Sequence, residues 1–129
     1  MKKFLLLIIL TLTLSGCDTA AGSYQHLTPE DAAKVMETEK NFIILDVRTQ
    51  DEYDKKHIPN AVLLPIEELR KGNFELLPDK KQKILIYCWT GRRAEDSAKI
   101  LAEHGYKNVY EFGGLVDWNG KVVGNEIKN

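Results

Sequence analysis

Apolar residues fall along this chain in two patterns. Four short runs are mostly apolar: FIILDV (42–47), AVLLP (61–65), KILIYC (83–88) and NVYEF (108–112). Each is bounded by polar or turn-forming residues, which predicts strands, and KILIYC is the clearest buried one. The segments between them carry helical signals. Thr28-Pro29-Glu30-Asp31 offers an N-cap, a proline at the first helical position and an acid near the capping-box position. Ala32, Ala33, Val35 and Met36 then supply an apolar face up to about Thr38. Thr49 and Glu52 form a potential capping box for a short helix ending near Lys55. Residues 65–71 predict another helix, and 74–77 a further turn. From Arg92 to His104 the apolar residues Ala94, Ala98, Leu101 and Ala102 share one face, and Gly105 suits the turn that closes a helix. Gly113-Gly114 and a short helical turn to Trp118 follow the last strand. Strands alternating with helices predict an α/β domain of three layers around a parallel sheet. Sites in such sheets form beyond the carboxyl ends of the strands. Asp46 and Cys88 both end strands and are expected on that edge.

The N-terminal segment departs from this patterning. Met1-Lys2-Lys3 precedes the uncharged stretch FLLLIILTLTL (4–14), and small residues lead to Cys17. A positive start, an apolar run and a small-residue exit predict a secretory signal. At about 1.5 Å per residue the run covers only about half of a ~30 Å hydrocarbon core. Leu14-Ser15-Gly16-Cys17 resembles the lipobox of bacterial lipoproteins. That resemblance implies cleavage before Cys17, a diacylglyceryl thioether on its sulfur, and a membrane anchor of two or three acyl chains. The mature chain would then sit in the cell envelope, on the extracytoplasmic side of the membrane. The alternative is an ordinary signal peptide in which Cys17 is incidental. Asp18 resembles an inner-membrane retention signal of Gram-negative lipoproteins. The expected organisation is a signal peptide at 1–16, the lipidated cysteine and a short polar tether at 17–24, one domain at 25–124, and a C-terminal tail at 125–129.

Charge narrows the range of partners. The whole chain carries a net charge of −1, and losing residues 1–16, which hold two lysines and no acid, leaves −3. A mildly acidic domain without a polybasic stretch has no electrostatic footprint for nucleic acid or lipid headgroups. With Cys17 lipidated, Cys88 is the only free thiol, and the compartment is oxidising. It cannot form an intrachain disulfide. No CxxC or Cys/His cluster is present to hold zinc, and neither a metal nor a cofactor is expected.

The neighbours of Cys88 give it a chemistry. A buried structural cysteine is the plain alternative. The turn Cys88-Trp89-Thr90-Gly91-Arg92-Arg93, however, joins a strand to a helix and can aim successive N–H groups inward as an anion nest. The helix adds its positive end at the same point. Gly91 permits a backbone conformation or a close approach that a side chain would obstruct. Arg92 and Arg93 are permanent cations. Each of these favours a thiolate, which marks Cys88 as the candidate nucleophile.

The loop Cys88-Trp89-Thr90-Gly91-Arg92-Arg93 resembles the Cys-x-x-Gly-x-Arg loop of the rhodanese family of sulfurtransferases. LDVRTQDEYDKKHIPNAVLLP (45–65) is similar to the family's Asp-Val-Arg, Glu-Tyr and His-Ile-Pro-Gly-Ala segments, and EFGGLVDWNG (111–120) to its closing Gly-Gly…Trp element. Departures are Lys56 and Asn60 where glycines are usual, and Ala94 in place of a frequent serine. Asn60 tolerates positive φ, so that turn is expected to survive. The resemblance implies a persulfide mechanism. Cys88 takes a sulfane sulfur from a small donor such as thiosulfate and passes it to cyanide, a thiol or an acceptor protein. No second free thiol exists to resolve the persulfide, so the acceptor must be external. Arg92 and Arg93 can attract an anionic donor, or one of them can brace the loop. Two alternatives share the fold. Cysteine phosphatases and arsenate reductases of rhodanese-like architecture use a longer loop, with five residues between Cys and Arg and commonly a histidine before the cysteine. Here four residues separate Cys88 from Arg93, and Tyr87 precedes the cysteine. Non-enzymatic binding modules of the family often lack the cysteine that this chain keeps.

The remaining polar residues have structural readings. Asp46 and Arg48 can line the site, but a bracing pair between Arg48 and Glu52 is the favoured expectation, since charged groups near a buried strand end need partners. His26 and His104 read as surface or helix-end residues, and His57 as structural; a cysteine peptidase would need a histidine base beside Cys88. Trp118 is expected in the core. Trp89 is expected at the pocket mouth, shaping acceptor access, with an exposed aromatic of no function as the alternative.

Overall fold

The structure, a computed structural model, describes residues 22–127; the signal segment, Cys17 and the last two residues lie outside them. Among the described residues five parallel strands make one sheet, with helices on both faces. The strands are β1 (Gln25–His26), β2 (Phe42–Asp46), β3 (Val62–Leu63), β4 (Lys83–Cys88) and β5 (Val109–Gly114). Their spatial order is β1-β5-β4-β2-β3, so β4, which ends in Cys88, lies at the centre. Helices α1 (Pro29–Thr38), α2 (Gln50–Lys55), α3 (Ile66–Arg70) and α4 (Arg92–Glu103) connect them.

The helix signals in the sequence act where they stand. Thr28 Oγ1 accepts the Asp31 N–H at 3.1 Å to start α1. Thr49 and Glu52 close a reciprocal capping box on α2. Both satisfy amides that a helix start leaves without partners. Asn60 adopts φ 67°, so the turn survives without the usual glycine. Two features depart from the expected pattern. β1 was not anticipated, because Gln25 and His26 are polar, exposed and have no apolar alternation to detect. The last strand runs on past Phe112 through both glycines, with Cys88 in register with Gly114 after an irregularity between Ile86 and Cys88.

Both faces of the sheet are covered, which is why its central strands read as continuous apolar runs. Strand side chains alternate between faces. Leu45, Val47, Ile84, Ile86 and Cys88 pack toward α3 and α4, against Leu69, Ala94, Ala98 and Leu101. Ile44, Leu85, Tyr87 and Phe112 pack on the opposite face, against Ala32 of α1 and against Ile58 and Ala61. Burying each large apolar side chain stabilises the fold by roughly 1.5–3 kcal/mol before chain entropy is counted.

One charged pair is embedded in this core. Asp46 is fully buried and Arg48 is 2% exposed. The Arg48 guanidinium donates to Asp46 from Nε at 3.0 Å and from Nη2 at 2.8 Å, and the Arg48 backbone N–H donates to Oδ1 at 3.0 Å. Tyr87, Asp46's register partner on β4, donates its hydroxyl proton to Oδ2 at 2.5 Å. The remaining reach of Arg48 goes to the Lys56 carbonyl at 2.7 Å, and the Tyr87 oxygen accepts the Ile58 N–H at 3.0 Å. Burial, and then the adjacent Asp46 carboxylate, hold the Tyr87 phenol well above its ordinary range, so it stays a donor. Replacing Arg48 by Met is expected to cost about 3–5 kcal/mol, because a buried carboxylate loses its counter-charge. Urea denaturation checks this, and a loss below about 1 kcal/mol would show that the pair is not a structural keystone.

Candidate active site

β4 delivers Cys88 to the carboxyl edge of the sheet, and α4 begins four residues later. Gly91 is the residue before α4; it takes φ 111° and offers no side-chain cap. Its N–H instead donates to Cys88 Sγ at 2.9 Å. The sulfur therefore has a backbone donor at the positive end of a twelve-residue helix, both of which stabilise negative charge on it. Cys88 itself is buried, whereas Trp89, Thr90 and Arg92 are exposed.

The loop is seated on the end of β5. The Val116 N–H donates to the Trp89 carbonyl at 3.2 Å. A Cβ on Gly114 would lie 2.0 Å from the Trp89 carbonyl oxygen and 2.7 Å from the Thr90 nitrogen. One on Gly91 would approach the Gly113 Cα to 3.2 Å. The glycines at both places are thus required by close backbone approach, and at Gly91 by its positive φ as well.

The two arginines after Gly91 go to different places. Arg93 folds back onto α2, where its Nη1 and Nη2 donate to the Glu52 carboxylate at 2.7 and 2.9 Å. Arg92 is exposed and has no ion pair among the described residues. The expected pairing of Arg48 with Glu52 is not formed. Arg48 turns inward to Asp46, because an unpaired carboxylate is far costlier in the core than at the half-exposed position of Glu52. Asp46 reaches the same edge as Cys88, but the pleat points it with Tyr87 to the opposite face, away from the sulfur. His57 donates from Nδ1 to the Tyr53 carbonyl at 2.7 Å, stacks on the Tyr53 ring at 3.7 Å and bridges to Val123.

The sequence profile of the rhodanese-like domain matches residues 28–121, most of the chain. The chain belongs to the rhodanese family. It is 34% identical over 73 residues to the thiosulfate sulfurtransferase PspE of Escherichia coli, covering 57% of this chain and 70% of that protein. It is 35% identical over 103 residues to the putative sulfur carrier protein YrkF of Bacillus subtilis, covering 79% of this chain but spanning only 55% of the length of YrkF. A rhodanese-like domain from Anabaena superposes with a TM-score of 0.71 at 27% identity, over 78% of this chain and 80% of that one.

Within this rhodanese domain, sequence reading missed three contributors to the site. The sequence places Glu52 in a capping box and as a brace for Arg48, yet its ion-pair partner is Arg93, held from across the edge. Gly114 was read only as part of a motif, though it provides the seat for the loop. Lys56, in place of the usual glycine, stands with its Nζ 5.0 Å from the centroid of the Trp89 ring. No local signal reveals Glu52 or Lys56, because each contact joins segments more than thirty residues apart in the chain.

The Glu52 carboxyl is lowered from 4.5 to about 2, first by the Arg93 hydrogen bonds, with partial burial opposing. Its folded-state value lies below its unfolded one. The stability it contributes is therefore complete above pH 4.5 and is lost as pH falls through about 2. The stability difference between the natural chain and Glu52→Gln is expected to be about 1 kcal/mol near neutral pH, limited by solvent screening. It should shrink steadily across that acid window in urea titrations, and a difference independent of pH would refute the assignment.

Proposed function

We propose that the protein is a sulfurtransferase that carries sulfur as a persulfide on Cys88. The observation that carries this reading is the Gly91 amide on Cys88 Sγ at the head of α4, behind a loop whose Trp89 and Thr90 open to solvent. The names of related proteins, a thiosulfate sulfurtransferase and a sulfur carrier, support it. In the first step the Cys88 thiolate attacks the sulfane sulfur of thiosulfate. A Cys88 S–S bond forms, the donor S–S bond breaks, and sulfite leaves with the electron pair. The negative terminal sulfur then lies at the loop amides and the helix N-terminus, a preorganised dipolar pocket for an anion. Arg92, with no acid holding it, is the cation placed to attract the donor, while Arg93 fixes the loop on α2. An external thiol or cyanide, or a protein thiol, removes the sulfur and restores the thiolate.

The lipid anchor at Cys17 belongs to the same proposal. Gly22 lies against the C-terminal end of α4, where an added Cβ would sit 2.0 Å from the Ala102 carbonyl oxygen. Cys88 lies at the other end of that helix, about 15 Å along it. A chain held through residue 17 would therefore be attached at the end of α4 opposite to Cys88.

Two outcomes are expected. Reduced protein exposed to thiosulfate should gain one sulfur atom by intact mass, released by cyanide as thiocyanate, and Cys88→Ser should gain none. If the natural chain takes up no sulfur, sulfur transfer gives way to a binding role. Separately, protein extracted from the membrane fraction should begin at Cys17 and carry the mass of a diacylglyceryl group on that residue; an unmodified Cys17 would sink the anchor.

A further inference from the structure

A cavity of about 320 Å³ adjoins the Cys88 loop, bordered by Arg48, Glu52, Lys55, Lys56, Trp89 and Glu126. Thiosulfate and cyanide are molecules of a few heavy atoms. A space of this size lies instead at the lower end of the ~300–1,000 Å³ that organic ligands occupy. The charges on its walls are of two kinds. Arg48 is neutralised by Asp46, and Glu52 by Arg93. Lys55, Lys56 and Glu126 have no ion-pair partner among the described residues. The cavity therefore offers two cations and one carboxylate without a counter-charge among the described residues, and an aromatic surface.

The walls are held in place by the fold. The Lys56 carbonyl accepts from Arg48, and His57 pairs with Val123 through two backbone hydrogen bonds of 2.8 and 2.9 Å. The Glu126 N–H donates to the Lys55 carbonyl at 3.0 Å, which fixes the C-terminal wall against the end of α2. Lys56 Nζ lies over the Trp89 ring, so the residue next to Cys88 is coupled to the cation that replaces the usual glycine. Arg93, on the other side of the loop, is bound to Glu52 of the same wall. The cavity thus borders the sulfur-carrying loop at Trp89, and its Glu52 wall is tied to the far end of that loop through Arg93.

We propose that this cavity is the acceptor subsite, and that Lys55 and Lys56 select a low-molecular-weight thiol of amino-acid or short-peptide type bearing carboxylates. The proposal rests on the persulfide reading of Cys88 and specifies its acceptor. Two lysines match carboxylates, Glu126 matches an ammonium group, and Trp89 covers the apolar part of the ligand. The acceptor thiolate attacks the terminal sulfur of the Cys88 persulfide. A new S–S bond forms on the acceptor, the persulfide S–S bond breaks, and its electron pair returns to Cys88 as thiolate. The acceptor leaves as its own persulfide, with charge conserved and no further oxidant or reductant required.

The test compares two acceptors on the full chain loaded from thiosulfate. Glutathione carries two carboxylates and one ammonium group, while 2-mercaptoethanol is uncharged. In the double variant Lys55→Gln/Lys56→Gln the KM for glutathione should rise about ten-fold, the scale of a lost charge-assisted contact. The KM for 2-mercaptoethanol should change less than about two-fold, because it makes no use of the charges. Lys56→Arg should keep the preference. An equal shift for both thiols, or no shift for either, overturns the subsite. Binding of S-methylglutathione, which cannot accept sulfur, is measured by calorimetry on the same proteins. It should weaken about ten-fold in the double variant even if Cys88 takes up no sulfur. Unchanged or absent binding refutes the subsite, whereas failure to load sulfur refutes only the persulfide reading.

Discussion

The buried pair of Asp46 and Arg48 is the constraint on which the edge of this sheet depends. A carboxylate at the end of β2 is withdrawn from water, and its only adequate compensation is a bidentate guanidinium and the Tyr87 hydroxyl. Those partners then have consequences of their own. Arg48 reaches on to the Lys56 carbonyl, and Tyr87 receives the Ile58 amide. The chain leaving α2 is thereby fixed against β4. Because α2 is fixed, Glu52 stands where Arg93 can meet it, and Arg93 in turn ties the start of α4. One polar cluster on one face of the sheet thus sets the position of a cysteine that points to the other face.

The Cys88 loop illustrates a division between electrostatics and space. Its charge stabilisation comes from the Gly91 amide and the helix N-terminus, which need no side chain. Its shape comes from the absence of side chains at Gly91 and Gly114, where backbones approach too closely for a Cβ. Side-chain cations serve different ends. Arg93 is used for structure through a half-buried carboxylate pair, which leaves Arg92 as the unpaired charge facing solvent among the described residues. A permanent cation is available to an anionic ligand only if it is not already neutralised, so the pairing of Arg93 leaves Arg92 as the available one of the two.

A single thiol makes the chemistry of such a domain depend on what approaches it. The narrow amide pocket suits a sulfur anion, whereas the adjoining cavity is wider and bordered by charged side chains. Separating the two lets the sulfur-holding part stay rigid while recognition is set by residues outside the motif. Lys56 belongs to this second group. It follows α2 directly, and its position is dictated by the same Arg48 contact that stabilises the fold.

Much of this was legible in the chain itself. The continuous apolar runs, the Thr28 and Thr49 caps and the left-handed turn at Asn60 are local effects, written in neighbouring residues. The placement of Cys88 between a buried strand and a helix start is likewise local, and it is sufficient to mark a candidate nucleophile. What the sequence could not decide were choices among partners. Arg48 had both Asp46 and Glu52 within reach along the chain, and only the fold, by burying Asp46 completely and leaving Glu52 half exposed, made one pairing far more favourable. β1 escaped notice because an exposed two-residue edge strand is stabilised by its neighbour's hydrogen-bonding groups rather than by its own side chains. Local propensity and periodicity therefore determined the elements and the candidate reactive residue. Burial, which exists only once distant segments meet, decided which charges were spent on holding the structure and which remained free to meet a ligand.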